Sequence, residues 1–146
     1  MSTDYKLVFV ALDGGDTQDM VAKKAVRIAS NNQASIVMGH VVDAVPTEAT
    51  SYDLRNICDQ VHLRIQDELA ETIKEAEDDP NIPSIDLRVD MGTIQETLGL
   101  MLEDVKPDLI VCGERGLSKI RYAFVGSVST HLIRTADCDV LVVKQH

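Results

Sequence analysis

The chain has 146 residues, 45% of them hydrophobic and 26% charged, a balance that supports one packed domain over residues 1–146 and speaks against general disorder. Lys and Arg number 14 against 24 Asp and Glu, a net charge of −10, which makes nucleic acid and membrane surfaces poor partners. Aromatic residues are only 3% with no Trp, so the stacking platform of single-strand binders is missing as well.

Leu7–Leu12 is a short apolar run closing on Asp13-Gly14-Gly15, which predicts a buried strand ending in a tight turn. Val21, Ala25 and Ile28 follow at helical spacing, with Asp16 or Thr17 as the N-cap. Ile36–Val42 is a second strand. Leu54, Ile57, Val61, Ile65, Leu69 and Ile73 then step by threes and fours, predicting one long amphipathic helix of about five or six turns. Asp78-Asp79-Pro80 and Pro83 end it.

Ile85, Leu87 and Val89 alternate with Asp86, Arg88 and Asp90, the pattern of a strand near a sheet edge. Thr93 and Glu96 have capping-box spacing and open a helix with Ile94, Leu98, Met101 and Leu102 inward. Leu109–Cys112 is a fourth strand, Gly113–Gly126 a loop, Ser127–Thr135 a short helix and Val140–Val143 a last strand. Strands alternating with helices predict a parallel sheet covered on both faces, with ligand sites outside the carboxyl ends of the strands. Those ends fall at Asp13, Val42-Asp43, Met91-Gly92 and Gly113.

The stretch from Gly113 to Ser129, GERGLSKIRYAFVGSVS, carries the most chemistry. Gly113 and Gly116 follow a strand end, where missing side chains let backbone N–H groups approach an anion. Gly126-Ser127-Val128-Ser129 opens a helix, whose first N–H groups and dipole favour negative charge and to which the two hydroxyls add donors. From Leu109 to Ala136 four basic residues (Arg115, Lys119, Arg121, Arg134) face one acid, Glu114, a local +3 that leaves −13 on the other 118 residues. The pattern suits a small anion such as a phosphate chain; a solvated loop with glycines at its turns fits it equally. It is not a P-loop, since GxxxxGK[ST] is absent, and no GxGxxG follows the first strand.

Gly113, two residues, Gly116, nine residues, then Gly126-Ser127 resembles the nucleotide-binding pattern of ATP-binding universal stress proteins. The resemblance spans nearly the whole chain: LVFVALDGGD, GHVVD, VDMGTIQETL, DLIVCGERG and GSVSTHLIRTADCDVLVVK resemble that family's segments in order. It implies an α/β fold, a flavodoxin-like or Rossmann-like three-layer sandwich whose five-stranded parallel sheet has the order 3-2-1-4-5. It further implies ATP as ligand, with Mg²⁺ on the phosphates left open. Asp13 would sit by the adenosine, Ala11 would line the site and backbone around Val41 would meet the base. Gly113, Arg115, Gly116, Gly126, Ser127, Val128 and Ser129 would surround ribose and phosphates. A turn-forming carboxylate is an equal reading of Asp13.

The chain departs from the family pattern at four places: Gly15 for a frequent Ser, Glu114 for a small or neutral residue, Ile94 for Pro and Asp139 for Pro. Glu114 bears most on function, because a carboxylate facing phosphates repels them unless it points away or pairs with Arg115 or Lys119.

No dedicated catalytic apparatus is legible. His40, His62, His131 and His146 have no metal-ligand spacing, and GxSxG is absent. A phospho-accepting receiver domain would want an acidic pair after the first strand, which Asp13 and Asp16 do not form. Cys58, Cys112 and Cys138 are far apart without CxxC, which reads as reduced thiols in a cytoplasmic protein. No stretch is apolar enough to cross a membrane and the first residues do not form a signal peptide. Two functions follow: a nucleotide-dependent stress sensor or switch with at most slow ATP hydrolysis, or a dimeric protein-interaction module that binds no nucleotide. In either, the apolar last strand, Val140–Val143, predicts a homodimer through its edge; client proteins are not legible.

Overall fold

The computed structural model describes residues 5–43, 51–114 and 127–144. In chain order they form β1 (Leu7–Leu12), α1 (Gln18–Asn32), β2 (Ser35–Asp43), α2 (Ser51–Glu68), α3 (Ala70–Asp78), β3 (Ile85–Gly92), α4 (Ile94–Val105), β4 (Leu109–Gly113), α5 (Ser127–Thr135) and β5 (Asp139–Val143). The strands pair in parallel as β3-β2-β1-β4-β5. This is the expected doubly wound order, with β1 and β4 as neighbours.

Strand parity divides the core in two. Val8, Val10 and Leu12 of β1 point to one face and pack with Val21, Ala22, Ala25, Val26 and Ala29 of α1 and with Ile65 and Leu69. The alternate residue Phe9 points to the other face, with Val41, Leu98, Met101, Ile110, Cys112 and Leu132. β1 lies between β2 and β4, so both its faces are covered and its side chains are apolar throughout. The small alanines of α1 let that helix sit low on the sheet. It closes at Gln33, whose left-handed backbone (φ 56°) lets the Ala34 N–H return to the Ala29 carbonyl at 2.9 Å.

Three local expectations need correction. The single long helix is two, α2 and α3, meeting at Leu69 (φ −103°, ψ 16°). Two side-chain bonds to the first turn of α1 flank the break: Gln18 Nε2 donates to Glu68 at 2.8 Å, and the Thr72 hydroxyl donates to Asp19 at 2.6 Å. The apolar stripe survives the bend, since Ile65 and Leu69 are buried, while Ile57 one end earlier is 40% exposed. Thr93 does hold the N-cap position of α4, but its side chain makes no capping bond; only its carbonyl accepts, from the Thr97 N–H at 2.8 Å. At the third place, β2 and β5 each begin one residue earlier than the apolar run suggests, at Ser35 and Asp139.

Candidate functional site

The carboxyl ends of β1, β2 and β4 and the start of α5 meet at one edge of the sheet. β1 ends in the Asp13 turn. Its carboxylate accepts the Gly15 N–H at 2.8 Å, and Gly14 takes φ +80°, a left-handed conformation that a side chain disfavours. The turn-forming reading of Asp13 is therefore realised through one carboxylate oxygen, Oδ1.

β4 lies beside β1 with Ala11 opposite Cys112, so the chain leaves β4 at Gly113 next to the Asp13 turn. The Gly113 carbonyl accepts the hydroxyl of Ser129 at 2.5 Å, and Ser129 is buried. That bond spans 16 residues and anchors the first turn of α5 over the end of β4. The Ser129 hydroxyl, expected as an outward donor, is thus committed to the protein's own backbone, and the backbone N–H groups at the start of α5 remain as the donors this helix end presents. Glu114 is held through its own N–H, which donates to the Val143 carbonyl at 2.9 Å and extends the β4–β5 pairing by one residue.

Ala11, Val41 and Val128 all belong to the apolar cluster on the α4–α5 face. The structure therefore brings together Ala11, Asp13, Val41, Gly113, Val128 and Ser129, and α5 starts at Ser127. Arg115, Gly116 and Gly126 lie outside the described residues.

One residue near the site is not signalled as such by the sequence. His40 points to the face opposite Val41 and is buried. Its Nδ1–H donates to the Leu12 carbonyl at 2.9 Å, and its Cε1 lies 3.0 Å from where a Cβ on Gly14 would stand. It braces the backbone on which Asp13 sits. The pairing of Leu12 with His40 in the sheet register makes this contact, and no local pattern announces it. His62 serves structure similarly, its Nε2–H donating to the Leu87 carbonyl at 3.1 Å to join α2 to β3. Among the described residues no group of His, Cys, Asp and Glu could hold a metal ion, and no helix is long and apolar enough to cross a membrane.

A family model described as the universal stress protein family matches residues 4–144. A provisionally named universal stress protein of Staphylococcus epidermidis is 32% identical over 142 residues, covering 96% of this chain and 84% of the relative. One of Staphylococcus saprophyticus is 30% identical over the same shares. Among solved structures, the universal stress protein UspA from Lactobacillus plantarum superposes with a TM-score of 0.79 at 25% identity, over 95% of this chain and 97% of that one. A universal stress protein crystallised in complex with cAMP superposes with a TM-score of 0.72 at 25% identity, over 96% and 97%. The universal stress protein from Archaeoglobus fulgidus in complex with dAMP shares the fold, with a TM-score of 0.63 at 18% identity over 96% and 98%. With its five-stranded order, its Asp13 turn beside Gly113 and a family match over almost its whole length, the chain belongs to the universal stress protein family.

Proposed function

We propose that this protein is a nucleotide-binding stress sensor of one domain, working in the cytoplasm, with ATP as its ligand and at most slow hydrolysis. The observation that carries the reading is the junction of Asp13, Gly113 and the start of α5 at the switch point of the sheet, closed by the Ser129–Gly113 bond. The partly buried Ala11 and Val128 pack with the buried Val41 in one apolar cluster beside it, suited to a base and ribose, and the α5 N–H groups suit phosphate. Structural relatives solved with cAMP and dAMP support an adenine nucleotide as the ligand class. Arg115, Gly116, Gly126 and Ser127 complete the proposed phosphate segment, and whether Mg²⁺ joins the phosphates is left open.

Calorimetry tests this. Gly126→Val, which blocks backbone approach to the phosphates, abolishes ATP binding; unchanged affinity sinks the proposed site. Nucleotide released from denatured purified protein, read by absorbance and mass, identifies the physiological ligand.

A second reading rests on the open edge of β5, where Val140, Leu141 and Val142 are only partly covered. An unpaired apolar edge favours a homodimer built strand to strand, which would let the family fold act as an interaction module even without nucleotide.

A further inference from the structure

The β5 end of the sheet is covered unequally. On one face α5 packs against β5; on the other, α1 lies mainly over β1, β2 and β4, and of the β5 residues on that face Val143 is buried in the α1 cluster while Leu141 is only partly buried. A groove of about 770 Å³ remains there between α1 and β5. Leu141 and Val143 form its floor, and Met20, Lys23, Lys24 and Arg27 line its α1 wall. These four wall residues recur at the i, i+3, i+4, i+7 spacing of one helix stripe. Lys144 stands at the end of the floor.

The charge of this groove is opposite to that of the molecule. Its acids are Asp16 and Asp19, and Asp19 is already engaged by Lys23 at 3.1 Å and by the Thr72 hydroxyl. Lys24, Arg27 and Lys144 form no ion pair among the described residues, in a chain of net charge −10. An apolar floor beside a cationic helix wall, at a sheet end where α1 is the nearest helix among the described residues, has the shape and charge of a helix-binding groove.

We propose that this groove seats an acidic amphipathic helix of another protein. Its apolar stripe would lie on Leu141, Val143 and Met20, and its acidic flank would face Lys24 and Arg27, Lys23 being held by Asp19. The helix would sit beside α1 at the usual 8–10 Å spacing of packed helices. It occupies a sheet face rather than the β5 edge, so it is compatible with strand-to-strand dimerisation and independent of nucleotide. A second copy of the chain is the weaker occupant, since its β5 brings one acid, Asp139, which the Tyr5 hydroxyl already holds at 2.8 Å, and another Lys144.

The test is fluorescence anisotropy with a fluorescein-labelled helical peptide carrying Leu along one face and Glu along the flank, titrated with the full chain. The wild type binds it, and binding weakens as salt rises. The double variant Lys24→Glu, Arg27→Glu loses affinity by about tenfold or more, as reversal of two exposed contacts implies, and it gains affinity for the matching peptide with Lys in place of Glu. If charge reversal disturbs folding by circular dichroism, Lys24→Gln with Arg27→Gln gives the same loss at smaller size. No anisotropy change with the wild type, or equal affinity in the variants, overturns the proposal. So does sedimentation showing that the reversal splits a wild-type dimer, which would assign the groove to a second copy.

Discussion

Each of the three thiols sits where its anion is disfavoured. Burial pushes the Cys112 thiol up, partly offset by the Ser129 hydroxyl. Burial also raises Cys58, with Asp90 and Asp59 adding repulsion, and raises Cys138, beside Asp139, Asp108 and Asp137. The thiolate is the nucleophile, so all three react with iodoacetamide more slowly than free cysteine at neutral pH, measured by mass spectrometry. Ser129→Ala slows Cys112 further. The stability consequence has a definite sign. Above the ordinary value of 9.0 the unfolded chain loses thiol protons that the fold retains, so the thiol contribution is intact below about pH 9 and declines as pH rises through the folded values. Urea midpoints at pH 7 and pH 10 measure it, and Cys112→Val flattens the difference. Asp13 allows a second prediction at this scale. Asp13→Asn preserves the side-chain acceptor for the Gly15 N–H and leaves stability within about 0.5 kcal/mol, while nucleotide affinity falls. Asp13→Ala loses both, with about 1 kcal/mol of stability. Calorimetry and urea denaturation on the two variants separate the turn from the ligand contact.

At the level of elements, the close fit between β2 and its covering helix depends on a residue without a side chain. A Cβ on Gly39 would run into the Phe9 ring and the Met101 sulfur. Both side chains are fully buried and neither has room to retreat. Gly39→Ala therefore costs about 1–3 kcal/mol by overpacking, seen as a lower urea midpoint with an unchanged slope. The α2–α3 break shows the opposite situation, a bend without glycine or proline. The apolar period runs through Leu69 undisturbed, and i→i−4 bonds persist on either side, from Leu69 N–H to Ile65 and from Ile73 N–H to Leu69. The stripe was therefore legible while the bend was not, because the bonds flanking it go to Gln18 and Asp19, about 50 residues away in the chain.

For the whole molecule, the exposed ion pairs carry little. Lys23–Asp19, Arg64–Glu68 and Lys74–Asp78 are surface i,i+4 pairs, screened by the solvent around them. Stability rests on the two apolar layers that β1 divides. The edges of the sheet are treated differently. β3 has Asp86, Arg88 and Asp90 along it, with Arg88 bonded to Asp104 at 2.6 Å, a charged edge that resists pairing. β5 is Val and Leu after Asp139. Light scattering of the wild type is expected to give a dimer mass, and Val140→Lys, which charges the open edge, a monomer.

The order of strands and helices, the parallel sheet, the Asp13 turn and the approach of Gly113 to a helix start could all be read from the chain, because apolar period, turn chemistry and helix-opening residues act over a few neighbours. Local pattern also exposed the family resemblance, which the family model matches over residues 4–144. Side-chain commitments could not be read this way. Ser129 turns inward to Gly113, His40 braces Leu12, and α1 leaves Leu141 of β5 only partly covered beside a basic wall. Each depends on which residues the register and packing set opposite one another, and that partner choice is made across tens of residues in three dimensions.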